Sequence, residues 1–283
     1  MYISSKDWKA YINKLRALND TAARKIIEYV QKHGFSDTEA LIRYCHRVVE
    51  TYGTGSAALA AAMYDATAVM SNAAVPAAEM AAVASYGDVA KTVNGVLKTS
   101  SNVDELAGAV ARWVKKAGCD TTLQNAVRDS HSNDLYTTGR KKYGKKKNTG
   151  AQFAWIPSGD TCAFCLALAA NGWQYQTIKA EADHAEHIHS NCDCTYAVRF
   201  GNDGGIDGYD PDAITAQIER DLKLQGMESD ISDYYHGAMN DDVINAIRRQ
   251  NYARNREEIR EQQNSAAEKR RKLESSAAEE SEA

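Results

Sequence analysis

The chain has 283 residues, 25% charged and 43% apolar, with a formal net charge of -4. That is an ordinary globular balance, long enough for one large or two modest domains with a core. It excludes nucleic-acid binding through bulk positive charge, so any such contact has to come from a local patch.

The first residues, Met1 to Tyr11, place charges where a secretory signal needs its apolar run. The most apolar stretch, Ala57 to Ala84, is rich in alanine and interrupted by Asp65 and Glu79, so no membrane span is expected. The expectation is a chain made in a reducing cytosol, where six cysteines do not build a disulfide framework.

Only Pro76, Pro157 and Pro211 interrupt the chain, which leaves room for long helices. Trp8, Tyr11, Ile12, Leu15 and Leu18 recur at helical spacing behind a Ser4 or Ser5 cap, and Gly34 closes that helix. Ser36-Asp37-Thr38-Glu39 is a capping box that opens a second helix to about Gly53. An alanine-rich stretch from Ser56 to about Ser71 suits close helix packing. Asn102 to Glu105 caps another helix, with an apolar stripe of Leu106, Val110, Trp113 and Val114 and a C-terminal cap at Gly118. Beyond the basic run Arg140 to Lys147 the texture changes. Gln152 to Ile156, Gly172 to Tyr175 and Thr195 to Phe200 read as short strands, and Cys162 to Ala170 as a helix. Gly201 to Asp210 reads as a loop, and Asp210-Pro211 starts a helix with Asp as cap and Pro at the first position. From Asp241 the chain is charged, so helix outside the core is expected, fraying to disorder after about Leu273.

The fold class expected is therefore mainly α. Residues 1–134 form a helical domain, 135–150 a basic linker, 151–210 a small zinc-stapled α+β domain and 211–283 a charged helical tail. The third of these is too small to be stable without a staple.

Four cysteines and three histidines supply that staple between Cys162 and Cys194. Cys162-x2-Cys165 can grip one Zn²⁺ from a tight turn, and His189-x2-Cys192-x-Cys194 brings the second half of a tetrahedron. The ligands are four of Cys162, Cys165, His189, Cys192 and Cys194, with the choice between Cys192 and Cys194 open. His184 and His187 are additional donors in the preceding loop. A thioredoxin-type redox pair lacks its βαβ context here and leaves the second cysteine pair unexplained. A closed set of four protein ligands points to a structural ion, since a catalytic zinc keeps an open position.

On these residues the chain resembles the MuF-like minor capsid proteins of tailed phages. The resemblance is carried by Ile156-Pro157-Ser158-Gly159-Asp160-Thr161-Cys162-Ala163-Phe164-Cys165, by Gly172-Trp173-Gln174-Tyr175 and by His189-Ser190-Asn191-Cys192-Asp193-Cys194. Gly208 to Asp212 continues it, and the basic stretch from Arg248 to Gln262 does so more loosely. It implies a structural head-morphogenesis protein of the virion, lying in the capsid interior or at the portal. It further implies portal and capsid proteins as partners, and no enzymatic activity.

The run Arg140, Lys141, Lys142, Lys145, Lys146 and Lys147 makes six of eight successive positions cationic. It suits either contact with packaged DNA phosphates or a solvated linker. Two functions of other classes compete with the structural one: a zinc-dependent nucleic-acid-binding module and an HNH-type nuclease. Asp183 to Asn191 is too short for the ββα unit that the nuclease requires. Asp203, Asp207, Asp210 and Asp212 do not follow calcium-loop spacing, and Cys45 and Cys119 read as core thiols.

Overall fold

The computed structural model describes residues 2–100, 102–131, 150–157, 163–173, 195–201, 204–227, 241–254, 256 and 260. It is mainly helical with a small amount of sheet. In order come β1 (Tyr2–Ile3), α1 (Ser5–His33), α2 (Thr38–Met70), α3 (Tyr86–Thr99) and α4 (Val103–His131). After these follow β2 (Ala151–Ile156), α5 (Ala163–Ala170), β3 (Thr195–Phe200), β4 (Gly205–Ile206), α6 (Pro211–Lys223) and α7 (Asp241–Arg254). Two compact units result, one of residues 1–161 and 168–211, the other of 162–167 and 212–283. Among the described residues no helix is long and apolar enough to cross a membrane.

The helix starts follow from local chemistry. Ser4 Oγ accepts the Asp7 amide, Asp37 Oδ1 accepts the Ala40 amide and Asn102 Oδ1 accepts the Asp104 amide. Each satisfies one of the orphan donors of a first helical turn. α1 ends where Gly34 turns to φ +66° and its amide bonds the Val30 carbonyl. The predicted stripe is in place, with Trp8, Tyr11 and Ile12 buried.

Two predicted helix ends are corrected. α2 runs past Gly53 to Met70, and α4 runs past Gly118 to His131. These glycines are close-approach points instead. A methyl group on Gly118 would lie 2.5 Å from Ser56 Oγ and 3.3 Å from the Ser56 carbonyl oxygen. One on Gly53 would lie 3.1 Å from Val83 Cγ1. A glycine inside a helix costs about 1 kcal/mol relative to alanine, and here that loss is offset by the close approach of Ser56 at Gly118 and of the Val83 and Ala117 side chains at Gly53. α2 stops instead at Asn72, which takes φ +51°, with Ala73 N–H bonded to Ala68 O and Asn72 N–H to Val69 O. That pair of bonds is a Schellman motif with asparagine in the left-handed position.

α3 was not expected from the sequence. Ser85 caps it by accepting the Asp88 amide, and Val89, Val93 and Val96 are buried along one stripe. β-branched residues lower helix propensity by roughly 0.5 kcal/mol each. Burial of a valine side chain is worth about 1.5 kcal/mol or more, so packing wins. The stripe meets Ile26, Leu41, Val49, Leu106 and Val110 in the main core of the first unit.

β2 and β3 pair antiparallel from Ala151↔Phe200 to Ile156↔Thr195, at the positions the alternation predicts. Ala154, Ile156 and Ala197 join Trp8, Tyr11 and Ile12 of α1 in a second cluster. Three readings in this region are revised. Gly172 and Trp173 are not in a strand: Gly172 takes φ +68° just after α5, a position that stops the helix and leaves no extended ladder. The predicted loop 201–210 contains β4, which pairs in parallel with β1. In the second unit α7 contributes to a core after all, since Ala246 and Ile247 are fully buried. The Gln225 side-chain amide donates to the Ala246 carbonyl there.

Candidate functional site

The sequence places its chemistry in two segments, and the structure adds a third. The third is a polar seam on α4. Thr121, Gln124, Asn125 and Arg128 recur one turn apart and face the irregular stretch between α2 and α3. Thr121 Oγ1 accepts the Ala81 amide at 2.9 Å, and Asn125 Oδ1 accepts the Glu79 amide at 2.9 Å. Asn125 Nδ2 and Gln124 Nε2 both donate to the Glu79 carbonyl, at 2.8 and 2.7 Å. Arg128 Nη1 and Nη2 donate to the carbonyls of Ala77 and Pro76. From α2, Asp65 Oδ1 accepts the Ala78 amide. Side chains thus supply the backbone partners that a helix or sheet would otherwise provide.

Arg128 also forms a two-pronged pair with Asp129, Nε to Oδ1 and Nη2 to Oδ2, each at 2.9 Å. Asp129 is fully buried, and the Tyr64 hydroxyl donates to it at 2.6 Å. Burial, reinforced by the Asp129 carboxylate, holds the Tyr64 hydroxyl well above the ordinary phenol range. Such a network orders the chain.

Of the five candidate zinc ligands, only Cys165 lies among the described residues. It sits on α5, 2% exposed. Cys162, His189, Cys192 and Cys194 lie outside the described residues, as do His184 and His187 and the whole run Arg140 to Lys147. Among the described residues no group of three or more His, Cys, Asp or Glu side chains is gathered as a metal site. The ladder nevertheless fixes the ends of the connection that carries the motif. Ile156 is paired with Thr195, so the chain leaves β2 and re-enters β3 at the same end of the pair. Directly opposed residues of an antiparallel pair have Cα atoms about 5 Å apart. Cys194 is the residue immediately before Thr195, and Cys162 follows Ile156 by six positions.

The remaining described cysteines are core thiols. Cys45 is fully buried, and burial pushes its thiol up to about 12. Cys119 is buried with its sulfur 3.7 Å from Thr195 Oγ1. At the edge of the sheet region Trp173 is enclosed on several sides. The Arg199 guanidinium lies 4.9 Å from its ring centroid, Tyr209 meets it edge-on, and Gly205 presses against it without room for a Cβ. Tyr209 Oη donates to the Ala169 carbonyl at the end of α5.

The seam does not stand out in the sequence because its residues are scattered polar types. The signal that could have found it is their spacing at i, i+3, i+4 and i+7 opposite a helix-free, proline-containing stretch.

A family model described as VG15 protein matches residues 2–220. No curated protein and no solved structure matches the chain.

Proposed function

The chain belongs to the VG15 protein family, a viral and phage gene-product family, and from that premise we propose that it is a structural minor capsid protein. It acts in head morphogenesis, in the capsid interior or at the portal, with portal and capsid proteins as its partners. It carries one structural Zn²⁺ on four of Cys162, Cys165, His189, Cys192 and Cys194, and it catalyses no reaction. The observation that carries the phage assignment is the family match over residues 2–220. The cysteine and histidine spacing, with its resemblance to MuF-like proteins, supports the finer role.

The zinc proposal has its own physical support. A two-stranded pair is marginal alone, and the β2–β3 ladder already brings the ends of the motif-bearing connection together. A cation bridging the two halves of that connection then closes it with little further loss of chain entropy.

The experiment is mass spectrometry of purified particles, combined with metal analysis of recombinant protein purified without chelator. The chain is expected in mature heads at low copy number, with about one zinc per chain. Its absence from particles, or metal-dependent cleavage of plasmid DNA by the purified protein, would overturn the reading in favour of a nuclease or a non-virion role.

A further inference from the structure

The outer face of α2 changes character half-way along the helix. One exposed stripe follows it in steps of three and four residues. In the first half the stripe carries Glu39, Arg43, Arg47 and Glu50, and Arg43 pairs with Glu39 at 2.6 Å. That is the ordinary solvated face of a surface helix. In the second half it carries Thr51, Thr54, Ala58, Ala62, Ala66 and Val69, all exposed and none charged. Val69 is 79% exposed, the most of any large apolar side chain among the described residues. The irregular stretch after α2 widens this surface. Asp65 holds the Ala78 amide at 2.8 Å, which keeps the stretch beside the helix, and Met80 is 53% exposed there. Between residues 51 and 85 only Asp65 and Glu79 are charged, in a chain that is 25% charged. Asp65 is engaged by Ala78, and Glu79 interacts electrostatically with the Arg128 guanidinium.

A contiguous uncharged face of this kind marks a protein–protein contact, because the centres of interfaces are depleted in charge. Its area bears on what covers it. Residues 51–82 include fourteen exposed ones, and at the roughly 35 Å² that one residue gives to a standard interface they supply about 500 Å² per copy, or about 1,000 Å² for a pair. That is the lower limit for a specific, reversible complex. Charge bears on it as well. A chain of net charge -4 repels its own copies over most of its surface, and on this face two copies meet without opposed like charges. An unlike partner is selected by complementary charge. A low, neutral face matches its own image across a two-fold axis.

We propose that residues 51–82 form the contact between two copies of the chain, with the second halves of α2 packed antiparallel across a two-fold axis. The uncharged part of the stripe, from Thr51 to Met70, is about 28 Å long. Its middle lies between Ala58 and Ala62, so Ala58 of one copy faces Ala62 of the other. Small side chains there let the helix axes come to about 8 Å, and the antiparallel order opposes the two helix dipoles. Val69, Met70 and Met80 then bury their apolar surface at the two ends of the contact. The area makes the dimer reversible and concentration-dependent. The contact does not presuppose a role in the virion, so sedimentation and the mass spectrometry of particles fail independently.

The test is sedimentation equilibrium of the full chain over a concentration series, at low and at high salt. The parent should move from monomer toward dimer as concentration rises, and high salt should not dissociate it, since no ion pair holds the contact. Ala58→Glu/Ala62→Glu and Ala58→Lys/Ala62→Lys each set like charges against each other across the axis and should weaken association by about 10-fold or more. An equal mixture of the two variants should associate at least as well as the parent, because the charges now oppose. Glutamate and lysine are both good helix formers, so each variant should melt near the parent temperature. Arg43→Gln/Arg47→Gln, on the charged half of the same stripe, should change association less than about 2-fold. A parent chain that stays monomeric throughout the series would overturn the proposal. So would parent-like dimers of both charged variants, or a mixture of the folded variants no more associated than either alone.

Discussion

The α4 seam and the β2–β3 pair solve the same problem with different materials. At the seam an irregular segment is held by side chains of one long helix, which meet its amides and carbonyls directly. Everything needed lies within α2, α4 and the stretch between them. The β2–β3 pair has a complete ladder and buried residues along both strands, yet it is only two strands wide. Its buried Trp155 Nε1 has no hydrogen-bond partner among the described residues. The lesson is that a long helix can hold irregular backbone with its own side chains, whereas a two-stranded sheet leans on the helix packed against it and is the region that the proposed zinc would serve.

That contrast can be broken most severely at the proposed metal. Cys162→Ser or His189→Ala should abolish stoichiometric zinc and lower the melting temperature by about 10 °C, equivalent to a few kcal/mol in a chain of this size. Hydrogen exchange should quicken in residues 151–156 and 195–200 while the amides of Glu79 and Ala81 stay protected. Equal loss of protection in both regions would show that the two are not independent.

The seam should respond next. Arg128→Ala removes the guanidinium from the buried Asp129 and takes a donor from each of the Pro76 and Ala77 carbonyls. Removing the charged partner of a buried carboxylate should cost about 3 kcal/mol. The denaturation midpoint measures it, with exchange now faster at Ala78, Glu79 and Ala81 and unchanged in the sheet.

Smaller effects come from two glycines inside helices. Gly118→Ala drives a methyl group into Ser56 and should destabilise by about 2 kcal/mol, since α2 or α4 has to shift. Gly95→Ala, at an exposed α3 position with nothing within 4 Å, should instead stabilise by about 0.5 kcal/mol. Thermal melts of the pair read both signs. A destabilising Gly95→Ala would mean that space is not what distinguishes the two sites.

Both glycines show where sequence reading stops. Gly118 looked like a helix end because glycine punctuates chains, and nothing local states that another backbone passes beside it. Gly53 misled in the same way, and Val83, its neighbour in space, is thirty positions away in sequence. The strands 152–156 and 195–200 were legible because alternation and aromatic content are local properties. β1 and β4 were not, since two-residue strands carry no pattern and exist only through each other. The proposed ligand set rests on residue types at a spacing alone, and Cys165 is its one member among the described residues. α3 offered a readable cap and valine stripe, but three valines argue as well for strand as for helix until a core exists to receive them.

By itself the sequence determined the starts of α1, α2, α4 and α6 and the β2 and β3 segments, because caps and periodicity act within a few residues. Tertiary structure alone decided that Gly53 and Gly118 continue their helices, that α4 holds the segment before α3, and that Ile247 is core. Each of those depends on which distant surface arrives, and burial, close approach and hydrogen-bond partnership are set only when the chain has packed.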